Sequence, residues 1–222
     1  MLDIHTELGK VLAAGEKVAL ATVVETRGPT PRLPGTRMAI RRNGQHLGTV
    51  GGGCGEAEVI RAGLLALDEG RPRWVRADLT EEVTLESETS CGGTMDFLVV
   101  PWGRELLPVV EAVAGAVVSR QRVNLVTVLQ PIPGAMLVWG DNDSAWAGLS
   151  GEQADALSQP MALPAEVSDQ ARKVTVDIQG QPWSLLWEVV RPAPCLLIAG
   201  GGHIAVPLSQ MGRLLGFEVV VL

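Results

Sequence analysis

Forty of the 222 residues are glycine or proline, about 18% of the chain against a background of roughly 12%. This punctuation bounds what the chain can fold into. Glycine weakens the interior of a helix or strand, and proline removes a backbone donor, so such a chain is rich in turns. The expectation is many tight turns, with loops that can approach a ligand closely.

Between the breaks, the pattern of apolar residues assigns the elements. Leu2, Ile4, Leu8, Val11 and Leu12 recur near a 3.6-residue period, which predicts a helix over residues 2–16. The β-branched run VALATVVET (18–26) predicts a strand. After the loop RGPTPRLPG (27–35), TRMAIRR and QHLGTV flank Asn43-Gly44, the signature of a hairpin with a two-residue type I′ turn. The stretch 56–70 predicts a helix, 73–79 and 94–102 strands, 105–119 a helix and 122–130 a strand. Further strands are expected at 136–139, 174–178 and 183–190, with loop and a short helix between the first two. RPAP (191–194) reads as a linker, and the residues after it read as strand, glycine turn, helix and strand. No internal repeat or low-complexity segment is read. The expected fold is α/β: an N-terminal mixed-sheet α/β domain over residues 1–190, then a truncated Rossmann-like βαβ fragment over 191–222.

Composition excludes several function classes. With 46% hydrophobic and 19% charged residues the chain is a globular protein. A net charge of −7 argues against a sequence-independent nucleic-acid binder, which carries a basic stripe. The opening MLDIHTELGK has no apolar core of a secretory signal. The longest apolar stretch, 108–119, contains Glu111 and is too short to span a bilayer. A cytoplasmic protein without nucleic-acid or membrane partners is expected.

Three sets of residues point to chemistry. Gly200-x-Gly202-x-x-Ala205 follows an apolar strand and opens a helix, the context of a dinucleotide-binding turn: the glycines admit a pyrophosphate, and the helix N-terminus offers free N–H groups and a positive dipole end. This suggests an NAD(P)-dependent oxidoreductase. The acidic residue that would bind a ribose hydroxyl is expected just beyond Leu222, however, so NAD(P) binding by these residues alone is not expected. His203, within the turn, reads as a capping or surface residue.

The second set is two glycine-flanked cysteines. Cys54 follows Gly52 and Gly53 at the start of a helix, where the dipole favours a thiolate; Cys91 precedes Gly92 and Gly93 just before a strand. Such a pair suits thiolate ligation of a soft metal, sulfur carriage, or a dithiol redox pair. Three cysteines without a Cys-x-x-Cys pair argue against a disulfide framework or a structural zinc site, and Cys195 reads as a buried apolar residue of its strand. Between Cys54 and Cys91, Asp78 to Glu88 holds five carboxylates and reads as a solvated acidic loop. The third set is Arg27, Arg32 and Arg37 in the Pro/Gly loop, whose guanidinium groups could hold a phosphate or another oxyanion.

Taken in order, GPTPRLPGTRM, GTVGGGCGEAEV, CGGTMDFLVVPW and LIAGGGHIAVPLSQMGRLLGFEVVVL resemble the XdhC/CoxI family of accessory factors for molybdenum hydroxylases such as xanthine dehydrogenase. The resemblance implies a cysteine-containing domain joined to a Rossmann-like domain. It implies a cytoplasmic chaperone that binds molybdenum cofactor (molybdopterin) as cargo, assists its sulfuration with a cysteine desulfurase, and delivers it to the apo-hydroxylase. By this resemblance Cys54 and Cys91 are candidate metal ligands. Gly52, Gly53, Gly92, Gly93 and Arg32 would grip the cofactor, and Gly200, Gly202 and Ala205 fall on the nucleotide-type turn. One departure is Gly55, where family members often carry a larger residue such as Val. A homodimer, with exchange of the C-terminal segment, is expected from the exposed edges of that fragment.

Overall fold

The computed structural model describes residues 4–79, 92–140, 144–159 and 170–222, with Cys54 described by its backbone alone. The first part runs α1 (Ile4–Ala13), β1 (Val18–Arg27), β2 (Arg37–Arg41), β3 (His46–Gly48), α2 (Gly53–Glu69), β4 (Arg73–Asp78) and β5 (Thr94–Trp102). A 3-10 turn over Arg104–Leu106 leads into the second part. This runs α3 (Leu107–Val118), β6 (Val123–Gln130), β7 (Met136–Trp139), β8 (Ser144–Ala147), α4 (Gly151–Ser158), β9 (Arg172–Ile178) and β10 (Gln181–Val190).

The two parts repeat one another. Each is a helix, three strands, a helix and two strands, and the sheets are ordered β3-β2-β1-β5-β4 and β8-β7-β6-β10-β9. The first strand of each sheet bulges at its seventh residue: Val24 is skipped in the pairing of β1 with β5, and Leu129 in that of β6 with β10. One residue earlier the hydrogen bonds also match. Val23 N donates to Thr36 O and Gly35 N to Val23 O, both at 2.9 Å; Val128 N donates to Ala135 O at 2.7 Å and Gly134 N to Val128 O at 2.8 Å. The reading that no internal repeat exists is therefore corrected. Its sequence trace is short: Val-x-Leu-x-Thr-Val at 18–23 and 123–128, then Leu-Pro-Gly at 33–35 and Ile-Pro-Gly at 132–134.

Three apolar layers follow from the two-residue alternation of side chains along each strand. Val18, Leu20 and Leu98 of the first sheet face Leu125, Val138 and Leu186 of the second, with α1 and α3 filling the same central core. On the outer face of the first sheet, Ala19, Ala21, Ile40 and Phe97 pack beneath α2. On that of the second, Val126, Leu137 and Leu185 pack beneath Ala154 and Leu157 of α4. Burial on both faces explains why β1 reads as an unbroken apolar run.

Where the sequence predicted one mixed sheet, the structure has two sheets whose pairings are all antiparallel. The reason lies in the crossovers. Helix α2 carries the chain from edge strand β3 to the opposite edge strand β4, so it does not join parallel neighbours. The Asn43-Gly44 turn also differs. Gly44 N donates to Arg41 O (2.9 Å) and only Gly44 has positive φ (81°), the pattern of a type I turn closed by a left-handed glycine. Asn43 keeps negative φ because its Oδ1 accepts from Gln45 N (3.0 Å).

After residues 191–194, which form no element, β11 (Cys195–Ile198) and β12 (Glu218–Val221) pair in parallel with α5 (Ala205–Leu214) packed across them. Gly212 sits where an added Cβ would be 2.8 Å from Leu196 Cδ2, so it lets α5 close on the strands. An ion pair of Arg120 with Glu218 ties this unit to the end of α3. Cys195 is exposed, not buried as its apolar strand suggested, because α5 packs on one face of β11 and Cys195 looks out from the other. Among the described residues, no helix is long and apolar enough to cross a membrane.

Candidate functional site

The residues between β3 and α2 form the most unusual backbone of the structure. Gly51, Gly52 and Gly53 have φ of 134°, 82° and 70°, a run of positive values that side chains other than glycine resist. Helix α2 begins at Gly53, three residues before the predicted start, so Cys54 is its second residue. Its N-cap, Gly52, supplies no side-chain cap.

Glu56 holds this loop from inside the helix. Its Oε2 accepts from Thr49 Oγ1 at 2.6 Å, Val50 N at 3.1 Å and Gly52 N at 3.3 Å, while Oε1 lies 3.4 Å from His46 Nε2. Burial pushes the Glu56 carboxyl up, but the Thr49 hydroxyl, the two backbone N–H groups and His46 together outweigh it and leave it below the ordinary carboxylate value. Gly51 N donates to Thr49 Oγ1 (3.1 Å). The N–H groups of residues 50–52 are thus satisfied within the loop and are not the anion grip that the glycine run suggests. The free donors lie one step on: among the described residues, the N–H groups of Gly53 and Gly55 in the first turn of α2 have no acceptor in the protein.

The second half of the fold supplies an internal control. At the equivalent junction of β8 and α4, Ser150 is the N-cap of an ordinary capping box: Gln153 N donates to Ser150 Oγ (3.3 Å) and Ser150 N to Gln153 Oε1 (2.9 Å). Equally, β9 and β10 are joined by the two residues Gln179-Gly180, both with positive φ (54° and 81°), a type I′ hairpin. In the first half, β4 and β5 are joined by residues 79–93 instead, which include Cys91, Gly92 and Gly93. The second half closes both junctions in the usual way; in the first half the sequence places glycines and a cysteine at each.

Close contacts that only glycine permits bring these junctions together with the 27–35 loop. A Cβ on Gly51 would lie 2.9 Å from Pro31 Cβ and nearer still to Cγ. One on Gly93 would lie 2.6 Å from Arg27 O and against Pro29 O, and one on Gly28 3.3 Å from Gly93 Cα. Leu79 N donates to Gly93 O (2.9 Å), and Leu79 in turn packs on Gly55, whose added Cβ would lie 3.1 Å from Leu79 Cδ2. The departure at Gly55 therefore seats the start of α2 against this junction.

Of the predicted site residues, Gly52, Gly53, Gly92 and Gly93 lie in this cluster. Arg32 is exposed on the same loop, its guanidinium without a partner among the described residues, and its carbonyl accepts from Thr30 Oγ1 (3.1 Å). Cys91 and most of the acidic stretch 78–88 lie outside the described residues, as does the side chain of Cys54. One arginine is corrected. Arg37 is 4% exposed and paired with Glu188, with Nη2 also donating to Thr127 Oγ1 (3.3 Å) and Nη1 to Gly35 O (3.1 Å). It clamps the two sheets and offers nothing to a ligand. Arg27 is paired with Glu25 (2.8 Å). Around Gly200 and Gly202 an added Cβ would meet nothing within 4 Å, and Gly200 N donates to Leu222 O (2.8 Å). Ala205 begins α5 and is buried, while His203 is exposed. Sequence reasoning missed Glu56, Thr49 and His46. The available signal was a carboxylate one turn into a helix that begins with glycines and therefore lacks its own cap.

Residues 11–78 match the XdhC and CoxI family. Over its whole length the chain is 23% identical to a probable xanthine dehydrogenase subunit of Bacillus subtilis (strain 168), covering 64% of that protein. It is 34% identical over 98 residues (44% of this chain, 18% of the relative) to the uncharacterized protein YqeB of Escherichia coli (strain K12). It is 37% identical over 67 residues (30% and 21%) to the molybdenum cofactor insertion chaperone PaoD of the same organism. The chain thus spans less than two thirds of the length of each of these relatives. The crystal structure of a xanthine dehydrogenase from Bacillus halodurans superposes with a TM-score of 0.71 at 23% identity, over 98% of this chain and 61% of that one, which shows a shared fold. The segment that carries the glycine loop is the part of the chain that is similar to the XdhC and CoxI family.

Proposed function

We propose that the chain is an accessory protein that binds molybdenum cofactor as cargo and assists its sulfuration and insertion into a xanthine dehydrogenase-type hydroxylase. The observation that carries this reading is the glycine-mediated meeting of the 28–32 loop, the start of α2 and the Gly92-Gly93 turn, two of which adjoin cysteines in sequence. A relative named for molybdenum cofactor insertion supports it.

The residues fit such a cargo. Molybdopterin carries a phosphate and a dithiolene. Among the described residues, the first turn of α2 has N–H groups without an acceptor and the positive end of the helix dipole, Arg32 has a guanidinium without a partner, and the glycines leave room for close approach. Cys54 and Cys91 would supply thiolates to the metal or carry sulfur, with a cysteine desulfurase as sulfur donor. The parallel β11–β12 pair beneath α5 supports reading residues 191–222 as the start of a Rossmann-like domain joined to a cysteine-containing domain over 1–190. Exposed Val206, Met211 and Leu214 on α5 support a homodimer formed through this unit. We place the protein in the cytoplasm, where apo-hydroxylases are loaded.

The test is anaerobic gel filtration of the full chain with released molybdenum cofactor, followed by elemental analysis. Near-stoichiometric molybdenum on wild type that is lost in Cys54→Ser or Cys91→Ser is expected. No molybdenum on wild type overturns the reading.

A further inference from the structure

A groove of about 490 Å³ lies where the edge strand β9 of the second sheet approaches the inner face of the first, within the size range of small-molecule sites. Its walls carry Trp74 and Arg76 on β4, Asp96 on β5, Glu25 and Arg27 on β1, and Lys173 on β9. Two features separate it from an ordinary ion-pair network. Trp74 is 51% exposed, although a tryptophan on a strand usually buries its ring. Lys173 Nζ stands 3.8 Å from Glu25 Oε2, an ion pair beyond hydrogen-bond distance, so among the described residues it donates no hydrogen bond. Arg27 and Arg76 are already held by Glu25 and Asp96, the latter through 2.6 and 3.0 Å bonds. The walls therefore present an exposed aromatic face, two carboxylates held by arginines, and a lysine that meets its carboxylate through charge alone, with Asp78 beside Arg76 at the far end.

The groove meets the glycine cluster only at the end of the first sheet, since Trp74 and Arg76 are on its inner face and Ala77 faces α2 on the outer. Trp74 pairs with Leu98 and Asp78 with Thr94, so four residues of β4, roughly 13 Å, separate the ring from the level of Thr94. Gly93, next in the chain, packs on the carbonyl of Arg27, a residue of the groove wall.

We propose that this groove binds a planar heterocycle that carries an anionic substituent, with the ring stacked on Trp74 and the substituent on Lys173. The inference rests on the reading above in one respect only: the heterocycle would be the pterin of the cargo and the anionic group the phosphate on its side arm, with the dithiolene directed along the strands toward the glycine cluster.

Pterin-6-carboxylate is the probe, titrated by calorimetry into the full chain. Saturable binding by wild type is expected, weakened about tenfold or more by Trp74→Ala, as when a stacking partner is removed. Lys173→Glu should weaken it, and Trp74→Phe should restore most of it. Trp146→Ala, at an exposed tryptophan of the second half, should leave it unchanged. Circular dichroism checks that each variant is folded. Absence of saturable binding to wild type, or equal binding by folded Trp74→Ala, overturns the proposal. Molybdenum retention separates the two inferences: retention by wild type and Trp74→Ala alike overturns the groove alone, whereas no retention by wild type overturns the carrier reading and leaves the pterin titration to judge the groove.

Discussion

Replacing Glu56 by alanine removes one carboxylate oxygen that serves three donors, and the structure sets the size of the loss. The bond from Thr49 (2.6 Å) and that from Val50 N (3.1 Å) are well formed, while that from Gly52 N is long at 3.3 Å. Gly52 is exposed, so water replaces its acceptor; Val50 is 3% exposed, so its N–H is stranded. Hydrogen bonds to a charged group contribute about 1.5–3 kcal/mol each, and a stranded buried donor costs about 1–3 kcal/mol. Glu56→Ala should therefore destabilise the protein by about 2–4 kcal/mol at neutral pH. Glu56→Gln keeps an oxygen in place and loses only the charge, so it should cost about half as much. The pH dependence follows from the direction of the shift. The Glu56 carboxyl lies below its ordinary value of 4.5 in the folded protein, so its contribution is present above the unfolded value and is lost as pH falls through the folded one. Urea denaturation at pH 7 and at steps below pH 4.5 measures both effects, and the gap between wild type and Glu56→Gln should narrow in acid. A cost below about 0.5 kcal/mol for alanine, or equal costs for alanine and glutamine at every pH, would refute this account of the loop.

Two further outcomes are expected. Arg37→Met leaves Glu188 half of a buried pair between the sheets and should cost about 3–5 kcal/mol, whereas the double replacement Arg37→Met/Glu188→Leu should recover much of it; denaturation midpoints at constant m-value decide. Gly35→Ala and Gly134→Ala occupy equivalent bends of the two halves, with φ of 89° and 95° and added Cβ atoms 2.8 Å from Ala171 Cβ and 2.7 Å from Val100 Cγ1. Each should cost about 2–4 kcal/mol, while Gly15→Ala (φ 82°), with nothing within 4 Å, should cost about 1 kcal/mol.

Much of the fold was legible because burial on one or both faces leaves a period-2 or continuous apolar signal; β5 and β7 begin and end at the predicted residues. What stayed hidden was set by tertiary context. The strand Ser144–Ala147 is four residues long, with a single buried side chain, too little for a pattern. The type I′ hairpin falls on Gln179-Gly180 rather than Asn43-Gly44. Nothing in the preference of glutamine announces positive φ, and the turn is steadied by Asp177 Oδ1 accepting from Gly180 N (2.8 Å). The repeat was missed because two halves can share a backbone while keeping only a few apolar and Pro-Gly positions alike. For the site, the glycines were legible as points of close approach, but the partners they approach, Pro31, Arg27 O and Leu79, come from other strands and loops. Arg37 was misread for the same reason, since its partner Glu188 lies on the other sheet.

The central claim is that three glycine turns must meet for cargo to be held. Its most direct test uses variants that keep both cysteines: molybdenum retained per chain by wild type, Gly51→Ala and Gly93→Ala, with Gly180→Ala as the control from the second half. The account predicts retention by wild type and Gly180→Ala, and its loss in folded Gly51→Ala and Gly93→Ala. Retention by Gly51→Ala and Gly93→Ala at the wild-type level would contradict it.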